Sequence, residues 1–118
     1  MPQLVESPVR VPVPGGKRID EYVGRASTST EQVSVAHMRS PAGWEEPAQR
    51  PEFDEVTLVL GGAVHVEHDG GTLVVSAGQA VLTRAGERVR YTTPDGAEYV
   101  AVCLPAFAPD TVNREDEA

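Results

Sequence analysis

The chain contains few of the residues that usually build disulfides, thiolate metal clusters or nucleic-acid surfaces. Among its 118 residues there is one cysteine, Cys103, and one lysine, Lys17. A single cysteine excludes an intrachain disulfide and a zinc site made of several thiolates. The formal net charge of −8 argues against nucleic acid or an anionic membrane surface as a partner, because both are bound through clustered Lys and Arg.

Long apolar runs and cofactor motifs are also missing. No stretch reaches the length of a membrane span or of a signal-peptide core, and the N-terminus lacks a basic-then-apolar pattern. No glycine pair opens a helix, so no phosphate-cradling loop is indicated, and no flavin or nicotinamide motif is visible. We therefore expect one cytoplasmic domain with no membrane partner and no cofactor.

What the sequence does contain is a series of short β-prone runs separated by glycine-rich turns. The predicted strands are 31–38, 53–60, 63–68, 72–76, 79–83, 88–93 and 98–104. Turn signals recur between them, and no convincing amphipathic helix is present. This pattern predicts an all-β antiparallel sandwich or barrel over residues 32–105.

The two flanks differ from this central region. Residues 1–31 form an N-terminal arm rich in proline and glycine, in which Val9, Val11 and Val13 alternate. Within the arm, residues 18–30 have an ambiguous pattern. The arm is either disordered or docked by its apolar face, on its own barrel or on a neighbouring subunit. Residues 106–118 form an acidic C-terminal tail, expected to be partly disordered at its end. The apolar arm and the exposed edges of a small barrel lead us to expect a homodimer.

Two glycine-closed β-rich runs, Glu52–Gly62 and Gly78–Gly86, have the spacing of the two cupin motifs. The chain resembles a small single-domain cupin of the RmlC-like type over residues 32–105. Phe53-Asp54-Glu55, together with Val100-Ala101-Val102 before Pro105, resembles the ethanolamine-utilisation Q-type cupins. The resemblance implies a jelly-roll β-barrel, often dimerised by swapped edge strands, with a pocket at one end.

The same resemblance locates the positions of the usual cupin metal ligands. Glu55 falls on the motif glutamate, and the two histidines before it fall on Gln49 and Pro51. The histidine of the second motif falls on Val89. Proline and valine have no ligating side chain, and glutamine is a weak ligand for transition metals. We therefore predict no metal site of the usual kind.

Strand alternation gives an independent prediction of which side chains face the barrel interior. If Glu55 points inward, Phe53 and Thr57 share its face, and on the second-motif strand Val89 shares its face with Tyr91. These residues are the predicted pocket lining.

Three residues are candidates for proton chemistry. A carboxylate in an apolar barrel has a raised pKa unless it is paired, which suits Glu55 to act as a general acid or base. The alternative is a structural acceptor bonded to Tyr91 or to backbone. Tyr91 either donates a hydrogen bond to a substrate oxygen or is a core aromatic. His37 is a candidate proton shuttle if its imidazole faces inward.

The loop before the first motif strand supplies the remaining candidate substrate-binding residues, Gln49, Trp44 and Glu52. Trp44 either roofs a ligand or caps the core. By strand alternation, Glu52 falls on the opposite face from Glu55, and only a bulge before the strand would turn it inward.

The predicted function is that of a small-molecule-binding cupin, favoured as a metal-independent enzyme of isomerase, cyclase or lyase type that uses Glu55. Oxidation is disfavoured because no redox group is visible. One alternative is a non-catalytic binding, sensing or pathway accessory protein. A second alternative is a metalloenzyme with unusual ligands.

Overall fold

The computed structural model describes residues 1–115, which fold into nine β-strands and one short 3-10 turn, Pro109–Thr111. The strands are β1 Val9–Val11, β2 Arg18–Val23, β3 Ser34–Ser40, β4 Trp44–Glu45, β5 Asp54–His68, β6 Gly71–Ser76, β7 Ala80–Thr83, β8 Val89–Thr93 and β9 Ala97–Leu104. All pairings between these strands are antiparallel. The prediction of an all-β fold is confirmed.

The long strand β5 takes part in two sheets. Its first half pairs with β7 and β9, in a sheet that continues through β3 and β2 to β1. Its second half pairs with β6 and β8, and β4 lies at the edge beyond β8. A sheet that curls over on itself in this way is the jelly roll that the resemblance implied.

The change of sheet within β5 occurs at Gly61 and Gly62. The pairing of β5 with β9 shifts register between Val59 and Gly61. Gly62 has a φ of +69°, and a Cβ atom at this position would lie 2.2 Å from the carbonyl oxygen of Gly96. Only glycine fits such a bend. The glycine pair is therefore a bulge in one continuous strand.

The N-terminal residues are part of the first sheet. β2, which the sequence pattern left ambiguous, pairs along β3, and β1 pairs with β2 as the edge strand. β2 buries the acidic side chains Asp20 and Glu21, which obscure its alternation. Arg10 pairs with Asp20, and the backbone amides of Ala26 and Ser27 donate to Glu21.

The homodimer expected from the apolar arm and the exposed sheet edges stays a prediction.

The C-terminal segment also packs against the barrel as far as residue 115. Ala106, Ala108 and Val112 are buried, and Arg114 forms a β-bridge with Gln49. The end of the acidic tail, residues 116–118, lies outside the described residues.

The hydrophobic core fills one half of the space between the sheets. It consists of Trp44, Val59, Val64, Val66, Val75, Val81, Val89, Tyr91 and Tyr99. A smaller cluster of Phe53, Cys103 and Val112, with Phe107 against it, lies apart from this core. Across residues 1–115, no helix has the length and apolar character that crossing a membrane requires.

Candidate functional site

A cavity of about 270 Å³ occupies the other half of the barrel. Its walls come from β1, β2, β3, β5, β8 and β9 and from the segments that precede β5 and follow β9. Much of the wall is apolar and includes Ala36, Phe53, Ala101 and Phe107. Ligand pockets typically hold about 300–1,000 Å³, so this cavity suits a small metabolite.

Glu55 lines the cavity together with Phe53 and Thr57, as strand alternation predicted. The hydroxyl oxygen of Tyr91 lies 3.5 Å from Oε1 of Glu55 and 3.0 Å from Oγ1 of Thr83. Burial raises the pKa of Glu55 to about 7, and the nearby charge of Glu46 adds to the effect. Burial also raises the pKa of Tyr91, and the nearby charge of Glu55 raises it further, so the phenol keeps its proton.

Glu46 is a second cavity carboxylate, which sequence reasoning missed. Its side chain is 12% exposed, and its Oε2 lies 3.7 Å from the guanidinium of Arg114. Burial raises its pKa, against the opposing charges of Lys17, Arg114 and Arg90. The preceding residue, Glu45, is 68% exposed and pairs with Arg90. Nothing in the sequence distinguishes these two glutamates, because both belong to an irregular proline-bounded segment.

Lys17 and Arg114 bring positive charge to the same cavity. Nζ of Lys17 lies 4.1 Å from the ring centroid of Trp44 and 5.6 Å from that of Tyr99. Trp44 belongs to the core beneath the lysine and does not line the cavity. Of the two hypotheses for Trp44, capping the core is therefore the one that its position supports.

Gln49 lines the cavity and is only 4% exposed. Its backbone amide and carbonyl are both hydrogen-bonded to Val89, at 2.8 and 2.9 Å. These bonds fix the backbone of Gln49 beside β8. Within residues 1–115, its side-chain oxygen Oε1 is buried without a hydrogen-bond partner.

Three more candidate residues, in addition to Trp44, do not line the cavity. His37 is on the outer face of β3, because Ala36 and Met38 take the inward positions, and its Nε2 lies 2.6 Å from Oε2 of Glu98. The condition for a proton shuttle, an inward-facing imidazole, is therefore not met. Glu52 is exposed and accepts a hydrogen bond from Nδ2 of Asn113 at 3.0 Å. The bulge that would have turned it inward is not there.

The third, Val89, is 2% exposed and belongs to the hydrophobic core, so it faces inward but does not line the cavity. Its role in packing is enough to account for an apolar residue at this position.

The residues at the cupin ligand positions do not fit a metal ion. Val89 and Pro51 have no side-chain donor atoms, so of the four ligand positions only Gln49 and Glu55 carry one. Across the described part of the chain, no three His, Cys, Asp or Glu side chains gather in a way that would hold a metal.

The chain is similar to proteins of several kinds. The sequence profile of the AraC-binding-like domain family matches residues 7–117. A Myxococcus xanthus protein named endoribonuclease YbeY is 48% identical over 108 residues, which are 89% of this chain and 36% of that protein. The acetate kinase EutQ of Salmonella typhimurium is 33% identical over 54 residues, 46% of this chain and 24% of EutQ. The chain thus spans only a minor part of either relative.

Solved structures give the same fold. An RmlC-like cupin from Shewanella frigidimarina has a TM-score of 0.74 at 18% identity, covering 88% of this chain and 89% of that one. Ectoine synthase from P. lautus has a TM-score of 0.70 at 15% identity, covering 84% and 70%. These likenesses, at such low identity, establish the fold alone. The chain therefore has the fold of the RmlC-like cupins, as the resemblance predicted, and it belongs to the AraC-binding-like domain family.

Proposed function

We propose that the cavity binds a small carbonyl-bearing molecule and that Glu55 moves a proton on it. The observation that carries this proposal is the position of Glu55, a cavity-lining carboxyl with a pKa of about 7 beside the hydroxyl of Tyr91. A carboxyl with such a pKa is partly ionised at neutral pH, so it can both accept and return a proton.

The proposed step abstracts a proton from the carbon next to the carbonyl. The C–H bond breaks, the proton goes to the ionised Glu55, and the electron pair forms an enolate whose negative charge rests on oxygen. The phenol of Tyr91, which stays protonated, donates a hydrogen bond to that oxygen. Returning the proton to a different carbon gives an isomerase. Expelling a leaving group from the next carbon gives a lyase.

Glu46 has a distinct part in this proposal. Burial raises the pKa of Glu46, against the nearby charges of Lys17 and Arg114. The charge of Glu46 in turn raises the pKa of Glu55, in addition to the larger effect of burial. Glu46 therefore favours protonated Glu55 and tunes it towards neutral pH, without itself touching the reacting atoms. We also propose that the chemistry needs no transition metal, since the ligand positions carry Pro51 and Val89.

A binding or sensing module is the second candidate. It is favoured by the family match over residues 7–117 and by the M. xanthus relative, in which the matching segment is 36% of a longer protein. In that case Glu55 and Gln49 hold a ligand that leaves unchanged.

Deuterium exchange tests proton abstraction without knowledge of the product. The protein is incubated in D₂O, with and without a chelator, with neutral methyl ketones and short oxo acids, and deuterium at the carbon next to the carbonyl is followed by NMR. We expect exchange above buffer, insensitive to the chelator, that falls about 100-fold or more in Glu55→Gln. Gln keeps the size of the side chain but cannot take the proton.

Glu45→Gln is the matched control, because Glu45 is exposed outside the cavity, and it should exchange like the wild type. Tyr91→Phe should slow exchange by a smaller factor. Saturable binding of a panel compound without exchange, or equal exchange by Glu55→Gln, would contradict the proton-transfer proposal and favour the binding module.

A further inference from the structure

Lys17 is the only lysine of the chain, and it lines the cavity. It follows β1 and rests its ammonium group on the faces of Trp44 and Tyr99. In the structure of residues 1–115, no carboxylate oxygen lies within 4 Å of its nitrogen, whereas Arg114, the other cation of the cavity, has Glu46 at 3.7 Å.

Two aromatic faces hold the ammonium group in position without using its three hydrogen-bond donors. A partly buried ammonium group gains most from an anion that it can contact directly, because charge-assisted hydrogen bonds are about twice as strong as neutral ones. The lysine therefore has both a fixed place and free donors at the edge of the cavity.

The second observation is the side-chain oxygen of Gln49. It is buried, lines the cavity and has no partner within the described residues. A buried acceptor without a hydrogen bond destabilises the protein, because it has lost its hydrogen bonds to water. A hydroxyl group on a ligand would donate to this oxygen and remove that destabilisation.

Much of the remaining wall is apolar. Phe53, Phe107 and Ala101 present apolar surface, and the thiol of Cys103 is kept neutral because burial raises its pKa. A ligand that contacts Lys17, Gln49 and this apolar surface combines one anionic end, one hydroxyl and an apolar body.

Resting on the proposed function of the same cavity, we propose that its ligand is a short hydroxycarboxylate. Its carboxylate binds the ammonium group of Lys17, its hydroxyl donates to Oε1 of Gln49, and its carbon chain packs against Phe53 and Phe107. The substrate class is then an acid that carries a hydroxyl and the reacting carbonyl.

The unique lysine makes a direct experiment possible. Protein labelled with [¹³Cε]lysine gives one lysine side-chain signal, which is titrated with three matched probes: 2-hydroxyhexanoate, 2-hydroxyhexanamide and hexanoate. We expect a saturable shift with 2-hydroxyhexanoate. The neutral amide should bind at least roughly 10-fold more weakly than this acid, the usual effect of losing one charged hydrogen bond. Hexanoate, which lacks the hydroxyl, should bind several-fold more weakly than 2-hydroxyhexanoate.

Variants assign each contact. Lys17→Met should bind acid and amide equally, and Gln49→Met should lose only the preference for the hydroxyl. Affinities for these variants come from calorimetry. Arg18→Met, which removes an exposed neighbouring cation that does not line the cavity, should behave as the wild type. Titrations of the wild type therefore report on both contacts, the amide on the charged contact and hexanoate on the hydroxyl contact.

The outcomes separate this inference from the proposed function. A lysine signal that shifts equally with the amide, or with none of the probes, overturns the anion site. If neutral ketones still exchange deuterium through Glu55, the proton-transfer proposal survives that result. A carboxylate-selective shift without any exchange supports the anion site and leaves a binding module.

Discussion

Strand β5 runs through two regions of the barrel that are built in opposite ways. Its inward residues up to Thr57 face the cavity and include Glu55. From Val59 onward, the inward residues are the fully buried valines Val59, Val64 and Val66. One strand therefore supplies a polar wall and a dry core, and the change occurs between two neighbouring inward positions.

The two regions differ in how they are packed. Small branched side chains pack the dry half closely, as protein interiors require. The hollow half gives up packing contacts and keeps a carboxyl with a pKa of about 7. The pairing of this part of β5 with β7 and β9 sets the face on which Glu55 lies. The candidate site is thus located where the barrel is least tightly packed.

The largest effect on this arrangement is expected from Gly62→Ala. The new methyl group would lie 2.2 Å from the Gly96 carbonyl oxygen, and the φ of +69° strains any residue with a Cβ. We expect a loss of about 2–4 kcal/mol in the free energy of unfolding. Gly61→Ala is the matched control, because nothing lies within 4 Å of its added Cβ. Denaturant unfolding measures both, and equal losses would show that the bend does not depend on Gly62.

The next effect is the pH dependence that Glu55 confers. Folded Glu55 holds its proton up to a pKa of about 7, whereas the ordinary value is 4.5. Between these values the folded state binds more protons than the unfolded state, so stability falls as pH rises. The contribution is fully present below about 4.5 and lost through 7, amounting to at most about 3 kcal/mol.

The measurement is the stability of the wild type minus that of Glu55→Gln across this range, which removes the other titrating groups, including Glu46. The difference should decline steadily with rising pH. A flat difference would mean that Glu55 is not buried as a neutral acid.

The smallest effect is expected from two nearly isosteric substitutions on the same face of β5. Val59→Thr places a hydroxyl in the dry half, at a side chain that is fully buried, and should cost about 1–3 kcal/mol. Thr57→Val removes a hydroxyl from the cavity wall and should change stability by less than about 1 kcal/mol. Thermal unfolding checks both. Equal costs would remove the contrast between the two halves.

Much of the central sheet follows from the sequence pattern. The strands β6 to β9 lie within one residue of their predicted bounds, since alternating residues and glycine turns are local signals. β2 was left ambiguous because Asp20 and Glu21 break its alternation, and their partners are distant in sequence or in a turn. β4, two residues long, was read as loop because its pairing with β8 is entirely non-local.

The site was predictable to the extent that it lies on strands. Alternation placed Glu55, Phe53 and Thr57 on one face, and the cavity has them together. Alternation alone does not say which face of β3 is inward, so His37 was left open and lies outside. Glu46 and Lys17 come from irregular segments, which carry no such periodicity.

The sequence by itself determined the alternation of faces along β5 and β8, the bend at the glycine pair and the lack of donor atoms at two metal-ligand positions. These are properties of local backbone geometry and of side-chain chemistry. Only the tertiary structure decided that Lys17, Glu46 and Arg114 meet around Glu55, because they come from both flanks and a loop. It also decided the pKa of Glu55, which depends on how far closure of the barrel removes that carboxyl from water.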